Sequence, residues 1–321
     1  MAEEFKKQRE VRFIIWSILL TFISIGPVNA QLLWKVSKEN HPDSFLFGTH
    51  HLIPNNLVKD IHGLEEAYQA STLIIGEIDI NEMSDPSKVS YMSQAMIAPK
   101  DSTLTLILNE VELKHLNEVL QSFKDSQIPQ EMLSLMNPAT ISTLLVTQIT
   151  MDVIKQDYPE DKSQIGIDFI FQQRASQDKK EIKGLETLKF QTDLLYKSTS
   201  IQESAKQLME SIQCIDSNRD YVEEQIRQMN QNYIKQNLNK LYVESKDQSK
   251  DTPCPSFSIN EKDWKKMVDN RNQTWISLLE QFLSSQTCFI AVGALHLPGS
   301  KGVINLLKEK GYTVEPIQSS K

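Results

Sequence analysis

Apolar residues recur along this chain with two different periods, and the change of period marks out its elements. Leu32-Leu33-Trp34-Lys35-Val36 and Ser44-Phe45-Leu46-Phe47-Gly48 are short apolar segments separated by a turn rich in Asn, His, Pro and Asp, which predicts a β-hairpin. Helical spacing fits Val58 to Ala70, and Thr72-Leu73-Ile74-Ile75-Gly76-Glu77-Ile78-Asp79 reads as a buried strand. The helical period then takes over at Asn109 to Phe123, Pro129 to Met136 and Ala139 to Asp157, with Pro138 suited to the first position of the last helix. After Gly166, a helix carrying Ile167, Phe169, Ile170 and Phe171 leads to a short strand at Glu181-Ile182-Lys183. From Thr187 to Tyr242 the period stays helical, and abundant Gln, Asn, Glu and Lys mark a largely solvated helical region. A polar linker from Lys246 to Pro255 precedes a long helix from Glu261 to Leu283. The last unit is strand, turn, helix, strand: Thr287 to Gly293, Val303 to Lys310 with Gly311 as its cap, and Tyr312 to Pro316. The expected fold is α/β: a central mixed β-sheet flanked by helices, with a large helical insertion at about residues 109–242.

Composition changes this picture at the amino terminus. Lys6, Lys7, Arg9 and Arg12 precede an apolar stretch from Phe13 to Ile25, and Gly26-Pro27-Val28-Asn29-Ala30 then supplies a helix breaker and small residues. That order predicts a secretory signal over residues 1–30, cleaved after Ala30. The apolar run is short for a bilayer span, which sets cleavage above retention as an anchor. The mature chain is then exported, periplasmic or extracellular, with no membrane span after cleavage. The rest of a 321-residue chain with 40% hydrophobic content can bury a large core. A formal net charge of −8 excludes a general nucleic-acid binder, since no basic stripe is available to neutralise phosphates. Of the three cysteines, Cys288 falls inside a predicted buried strand; Cys214 and Cys254 flank one polar helical stretch, and whether they pair stays open.

Candidate chemistry comes from a repeated turn. Gly48-Thr49-His50-His51 and Gly293-Ala294-Leu295-His296 are both G-x-x-H, and each follows an apolar run. Each reads as a strand running into a turn, where glycine permits a sharp bend or a close approach and the histidine is delivered just past the strand's carboxyl end. In open α/β sheets ligands bind at that edge. Glu77 embeds a carboxylate in an apolar strand, which is costly unless a cation or hydrogen bonds compensate it; a site residue is the favoured reading, with a structural ion-pair partner as the alternative. Two imidazoles and a carboxylate are a usual set for zinc, manganese or cobalt, so His51, Glu77 and His296 are the candidate metal ligands. His50 is the alternative to His51, because adjacent residues at a strand end point to opposite faces. No G-x-S-x-G elbow, Walker loop, H-E-x-x-H helix or G-x-G-x-x-G turn is present.

Further residues acquire meaning together. Phe45-Leu46-Phe47-Gly48-Thr49-His50-His51-Leu52, Gly184-Leu185-Glu186-Thr187 with Gln191 after it, Arg271-Asn272 with Trp275, and Ala291-Val292-Gly293-Ala294-Leu295-His296-Leu297 with Gly299 and the Gly311-Tyr312 ending occur in an order that resembles the TraB/GumN family, which includes the animal Tiki proteins. The resemblance implies a secreted or membrane-associated α/β protein related in fold to erythromycin-esterase-like and ChaN-like proteins. Tiki members are manganese- or cobalt-dependent metalloproteases that clip the amino terminus of Wnt proteins, with the paired G-x-x-H motifs and an early-strand acid as the proposed catalytic set. By position these are His51, His296 and Glu77. The resemblance also makes Glu186 a second acidic group near the metal, suited to general-base work, and Arg271-Asn272 a substrate carboxylate or oxyanion contact. For Arg271 an ion pair joining the long helix to the sheet is the competing reading. The chain departs from the family at His50, where an apolar residue is commoner. The expected activity is a secreted, divalent-metal-dependent hydrolase, most simply a peptidase acting on peptide or protein substrates. The alternative is a peptide- or small-ligand-binding protein on the same fold without turnover.

Overall fold

The computed structural model describes residues 31–318 apart from 60, 124–128, 161–165 and 248–251, so the expected signal segment lies outside the described residues. Strands β1 (Leu33–Ser37) and β2 (Ser44–Thr49) form the expected hairpin, with Leu33 opposite Phe47 and Val36 opposite Ser44. Helix α1 (Leu64–Ala70) is shorter than its periodicity suggests. Val58 and Ile61 are buried from a turn that follows a 3-10 segment at Asn55–Leu57, so their spacing reflects burial without a helical backbone. Strand β3 (Leu73–Ile78) follows as expected.

Helix α2 (Pro86–Ala95) has no counterpart among the expected elements, although its start signal is plain: Pro86 at the first position and the Asp85 carboxylate accepting from the Ser87 and Lys88 N–H groups. Helix α3 (Glu110–Gln121) opens with an Asn109–Glu112 capping box, and α4 (Pro138–Asp157) with Asn137. Helix α5 (Ile167–Asp178) leads into β4 (Glu181–Glu186), which extends three residues past the expected strand. Three helices follow, α6 (Leu188–Tyr196), α7 (Ile201–Ile234, bent at Asn218) and α8 (Leu238–Asp247). The expected long helix from Glu261 is interrupted: a turn at Glu261–Trp264 and a π-helical turn at Lys265–Asp269 precede α9 (Asn270–Leu283). Strand β5 (Cys288–Gly293), α10 (Val303–Glu309) and β6 (Thr313–Pro316) complete the chain.

The six strands form one mixed sheet in the order β4-β3-β5-β2-β1-β6. β4, β3, β5 and β2 run parallel, while β1 is antiparallel to both of its neighbours. β5 sits inside the sheet and its residues from Cys288 to Val292 are all buried, as a strand covered on both faces requires. Phe171 of α5 packs on Phe289 of β5 with ring centroids 4.7 Å apart, which seats that helix on the sheet.

The large helical insertion has its own core. Ile141, Leu145, Ile149 and Val153 line one face of α4 at four-residue spacing and meet Leu208, Ile212, Ile215 and Val222 of α7 and Leu116, Val119 and Leu120 of α3. A Cys214–Cys254 disulfide closes this layer, and Cys288 is a free buried thiol whose pKa burial raises to about 12. β4 interrupts the 109–242 stretch, so the chain leaves the sheet after β3, returns at β4 and leaves again. Among the described residues no helix is long and apolar enough to cross a membrane.

Candidate functional site

The four parallel strands deliver their carboxyl ends to one edge of the sheet, where open α/β folds bind ligands. Thr49 of β2 lies beside Gly293 of β5, so the two G-x-x-H turns leave the sheet side by side. They pack closely: a Cβ on Gly48 would stand 3.1 Å from the Ala294 Cα, and one on Gly293 would stand 3.1 Å from a Glu77 oxygen. Glu77 closes β3 and Glu186 closes β4 at the same edge.

His296 turns inward and is buried. Its Nδ1 lies 2.6 Å from Asn272 Oδ1, its ring stacks 4.5 Å from Trp275, and its Nε2 is 3.8 Å from Glu77 Oε1. Asn272 settles the tautomer. Its Nδ2 donates to the carbonyls of His296 and Lys301, at 3.1 and 2.8 Å, so its Oδ1 must accept and His296 Nδ1 must carry hydrogen. The remaining Nε2 lone pair accepts from Arg271 Nη1 at 3.1 Å. Burial, which outweighs the pull of Glu77, lowers the imidazole to about 4 and keeps it neutral at pH 7.

Arg271, at the start of α9, is the hub. Its Nη2 donates to Glu77 Oε2 at 2.5 Å and to Glu186 Oε1, its Nε donates to Glu186 Oε2 at 3.1 Å, and its Nη1 also reaches the Met267 carbonyl at 3.0 Å. That carbonyl belongs to the π-helical turn, so a helix irregularity fixes the guanidinium's position. Burial raises the Glu77 carboxyl, but protonated His296, Arg271, His51 and the Gly293 N–H oppose it and hold it down to about 2. Because His296 is neutral at pH 7, the cations compensating Glu77 there are Arg271, in direct contact with it, and then His51. Gln191 bridges the acids, donating to Glu77 at 3.1 Å and Glu186 at 2.8 Å. Glu186 accepts from Arg271 twice, from Gln191 and from Trp275 Nε1 at 3.1 Å. Both its oxygens are engaged and it does not line the cleft, a placement unlike that of a free general base.

His51 stands apart from this buried cluster, exposed at the mouth, where its Nδ1 pairs with Asp168 in the first turn of α5. The Asp168 charge and hydrogen bond raise its pKa to about 9. His51 and Glu77 share a cleft of about 300 Å³ with Asp168, Gln172, Gln191 and Arg271, walled by Ile78, Phe169, Leu194, Leu195 and Met267. His50 faces elsewhere: its ring lies 5.2 Å from that of Tyr233, it is not a cleft residue, and burial lowers it to about 3. Among the described residues no group of three or more His, Cys, Asp or Glu side chains stands arranged to hold a metal ion.

A model of the TraB/PrgY/gumN family matches residues 32–316. The chain belongs to that family. No curated protein and no solved structure matches it. The match therefore carries membership across nearly the whole chain, and the chemistry has to be argued from the residues.

Asp168 and the cleft walls were not singled out by sequence. Asp168 is one acid at the start of a helix, and only its pairing with His51 in the folded chain reveals its role; the turn before it passes so close to His51 that a Cβ on Gly166 would stand 2.5 Å from the His51 carbonyl oxygen.

Proposed function

We propose that this TraB/PrgY/gumN-family protein is a divalent-metal-dependent hydrolase acting on peptide or protein substrates, with His51, Glu77 and His296 as the residues that would hold the ion. One observation carries the reading: each imidazole is tethered through Nδ1, to Asp168 or to Asn272, so Nε2 is the nitrogen a ligand would use, at His296 in exchange for the Arg271 hydrogen bond. Hydrogen-bonded partners on the far ring nitrogen are the usual support of metal-binding histidines. The donor chemistry, two imidazoles and a carboxylate, fits manganese, cobalt or zinc. A bound ion would supply Lewis-acid polarisation of an acyl carbonyl and of the attacking water.

The chain's own groups account for the rest. Asn272 keeps His296 in the tautomer whose Nε2 can act as an electron-pair donor. Arg271 compensates two carboxylates and competes for that same lone pair, so metal uptake opposes the Arg271–His296 hydrogen bond. His51 carries its proton at neutral pH, and a ligand must give that proton up, so uptake at His51 strengthens as pH rises toward about 9.

A second reading is favoured by the commitment of Arg271 to Glu77 and Glu186 and of His51 to Asp168, which leaves the cleft groups held by one another: a module that binds a peptide or small ligand without turnover. Calorimetric titration of residues 31–321 with Mn²⁺, Co²⁺ and Zn²⁺, followed by digestion of a peptide library with and without chelator, decides between them. The hydrolase reading expects metal binding that His296→Ala abolishes, and cleavage that chelator stops. Absence of binding by the wild type removes it; peptide binding without cleavage supports capture.

A further inference from the structure

A second hollow of about 250 Å³ adjoins the cleft, and the two share Leu194, Leu195 and Met267 as a common wall. Leu195 is 41% exposed although it is apolar and stands between the two hollows. Beyond this sill the chemistry changes. The far compartment is lined by hydroxyl and amide groups, among them Ser142, Thr199, Ser204 and Gln207, with one acid and one base, Asp263 and Lys266. The sill is coupled to the site, since the Met267 carbonyl accepts from Arg271.

We propose that the two hollows are halves of one substrate groove, and that it takes a peptide in extended conformation whose scissile group lies by Glu77 and Arg271 while further residues cross the Leu194–Leu195–Met267 sill into the polar compartment. This rests on the peptide-hydrolase reading for the chemistry, though not for the binding. Either hollow alone is at or below the lower end of small-molecule sites, roughly 300 Å³, whereas together they suit an elongated ligand. An extended chain presents a main-chain amide at every residue and side chains to alternate sides, which matches an apolar sill bordered by hydroxyl and amide partners. Ser142 comes from α4, Gln207 from α7 and Leu195 from α6, so the helical insertion builds the far half of the groove.

The test uses fluorescein-labelled random peptides of about eight residues, which span roughly 26 Å when extended, and matched peptides of about three. Anisotropy measures binding to the wild type and to two variants that fill the far compartment, Ser142→Phe and Gln207→Trp; Gln207 is exposed, so its replacement leaves the fold intact. The groove predicts tighter binding of the long pool and a loss of roughly tenfold in either variant, about 1.4 kcal/mol, with the short pool unchanged. Equal binding of both pools, indifference of the long pool to both variants, or no binding of any peptide overturns it. Cleavage assayed on the same samples separates the two ideas. Variant-sensitive binding without cleavage keeps the groove and removes the hydrolase, whereas cleavage indifferent to length keeps the hydrolase and removes the groove.

Discussion

Arg271 does what the two competing sequence readings asked of it separately. It joins α9 to the ends of β3 and β4 as an ion pair would, and it also borders the cleft beside Glu77. Replacing it by Met leaves two carboxylates without their cation, and loss of one partner of a buried pair costs about 3–5 kcal/mol. Arg271→Met should therefore unfold in less urea than the wild type. If Glu77 and His296 hold an ion, Mn²⁺ should restore part of the loss in the variant, because the competing guanidinium is gone; equal responses of both proteins to Mn²⁺ would count against shared occupancy. His296 sets a pH dependence whose sign follows from burial. The unfolded chain takes up the imidazole proton near 6.5, while the folded chain keeps the ring neutral down to about 4. Stabilisation is thus full above 6.5 and is lost as pH falls toward 4, amounting to about 3 kcal/mol at most. Urea unfolding in chelator at pH 7 and pH 4.5 should show a steeper acid loss for the wild type than for His296→Gln, and parallel losses would refute it. His51 acts in the opposite sense: the contribution of its pair with Asp168 is present below 6.5 and disappears as pH rises through about 9, damped by the ring's exposure to water.

At the scale of elements, the site is the meeting of strand ends with helix starts. β2, β3, β4 and β5 bring His51, Glu77, Glu186 and His296 to one edge, and the first turns of α5 and α9 add Asp168, Arg271 and Asn272. The strands were legible because buried parallel strands are continuous apolar runs, and the charge in one of them, Glu77, was conspicuous for that reason. The helices were legible in place better than in number or extent: α2 was not foreseen, and the stretch from Thr187 to Tyr242 is three helices. Periodicity reports which positions are buried, so it overran at Val58 and Ile61, where a turn buries the same side chains. It also passed straight through Lys265–Asp269, because a π turn adds one residue without removing the apolar face. That turn carries the Met267 carbonyl that accepts from Arg271, and nothing in the local sequence announces it.

Across the whole molecule, the helical insertion has a core separate from the sheet and a disulfide that closes a 40-residue separation between Cys214 and Cys254. In the chain-entropy account such a crosslink stabilises by about 4 kcal/mol. Cys214→Ser/Cys254→Ser should lower the melting temperature and loosen the insertion first. Hydrogen exchange should then rise in α4 and α7 before the sheet, and uniform loss of protection would show that the two cores unfold as one. Because α4, α6 and α7 also supply walls of the two hollows, the same variant should weaken binding of long peptides.

The succession of apolar runs and helical faces determined by itself that this is an α/β chain with a central mixed sheet and a helical insertion, and the paired G-x-x-H turns with Glu77 marked which residues to watch. These are local properties: a strand needs only its own apolar run, and a buried acid stands out in its own segment. What tertiary structure alone decided is who meets whom. Arg271 between Glu77, Glu186 and His296, Asp168 behind His51, Asn272 fixing a tautomer, and a disulfide from Cys214 to Cys254 all join residues distant in sequence. The strand order 4-3-5-2-1-6 makes those meetings, because it sets β5, late in the chain, between β2 and β3 from its beginning.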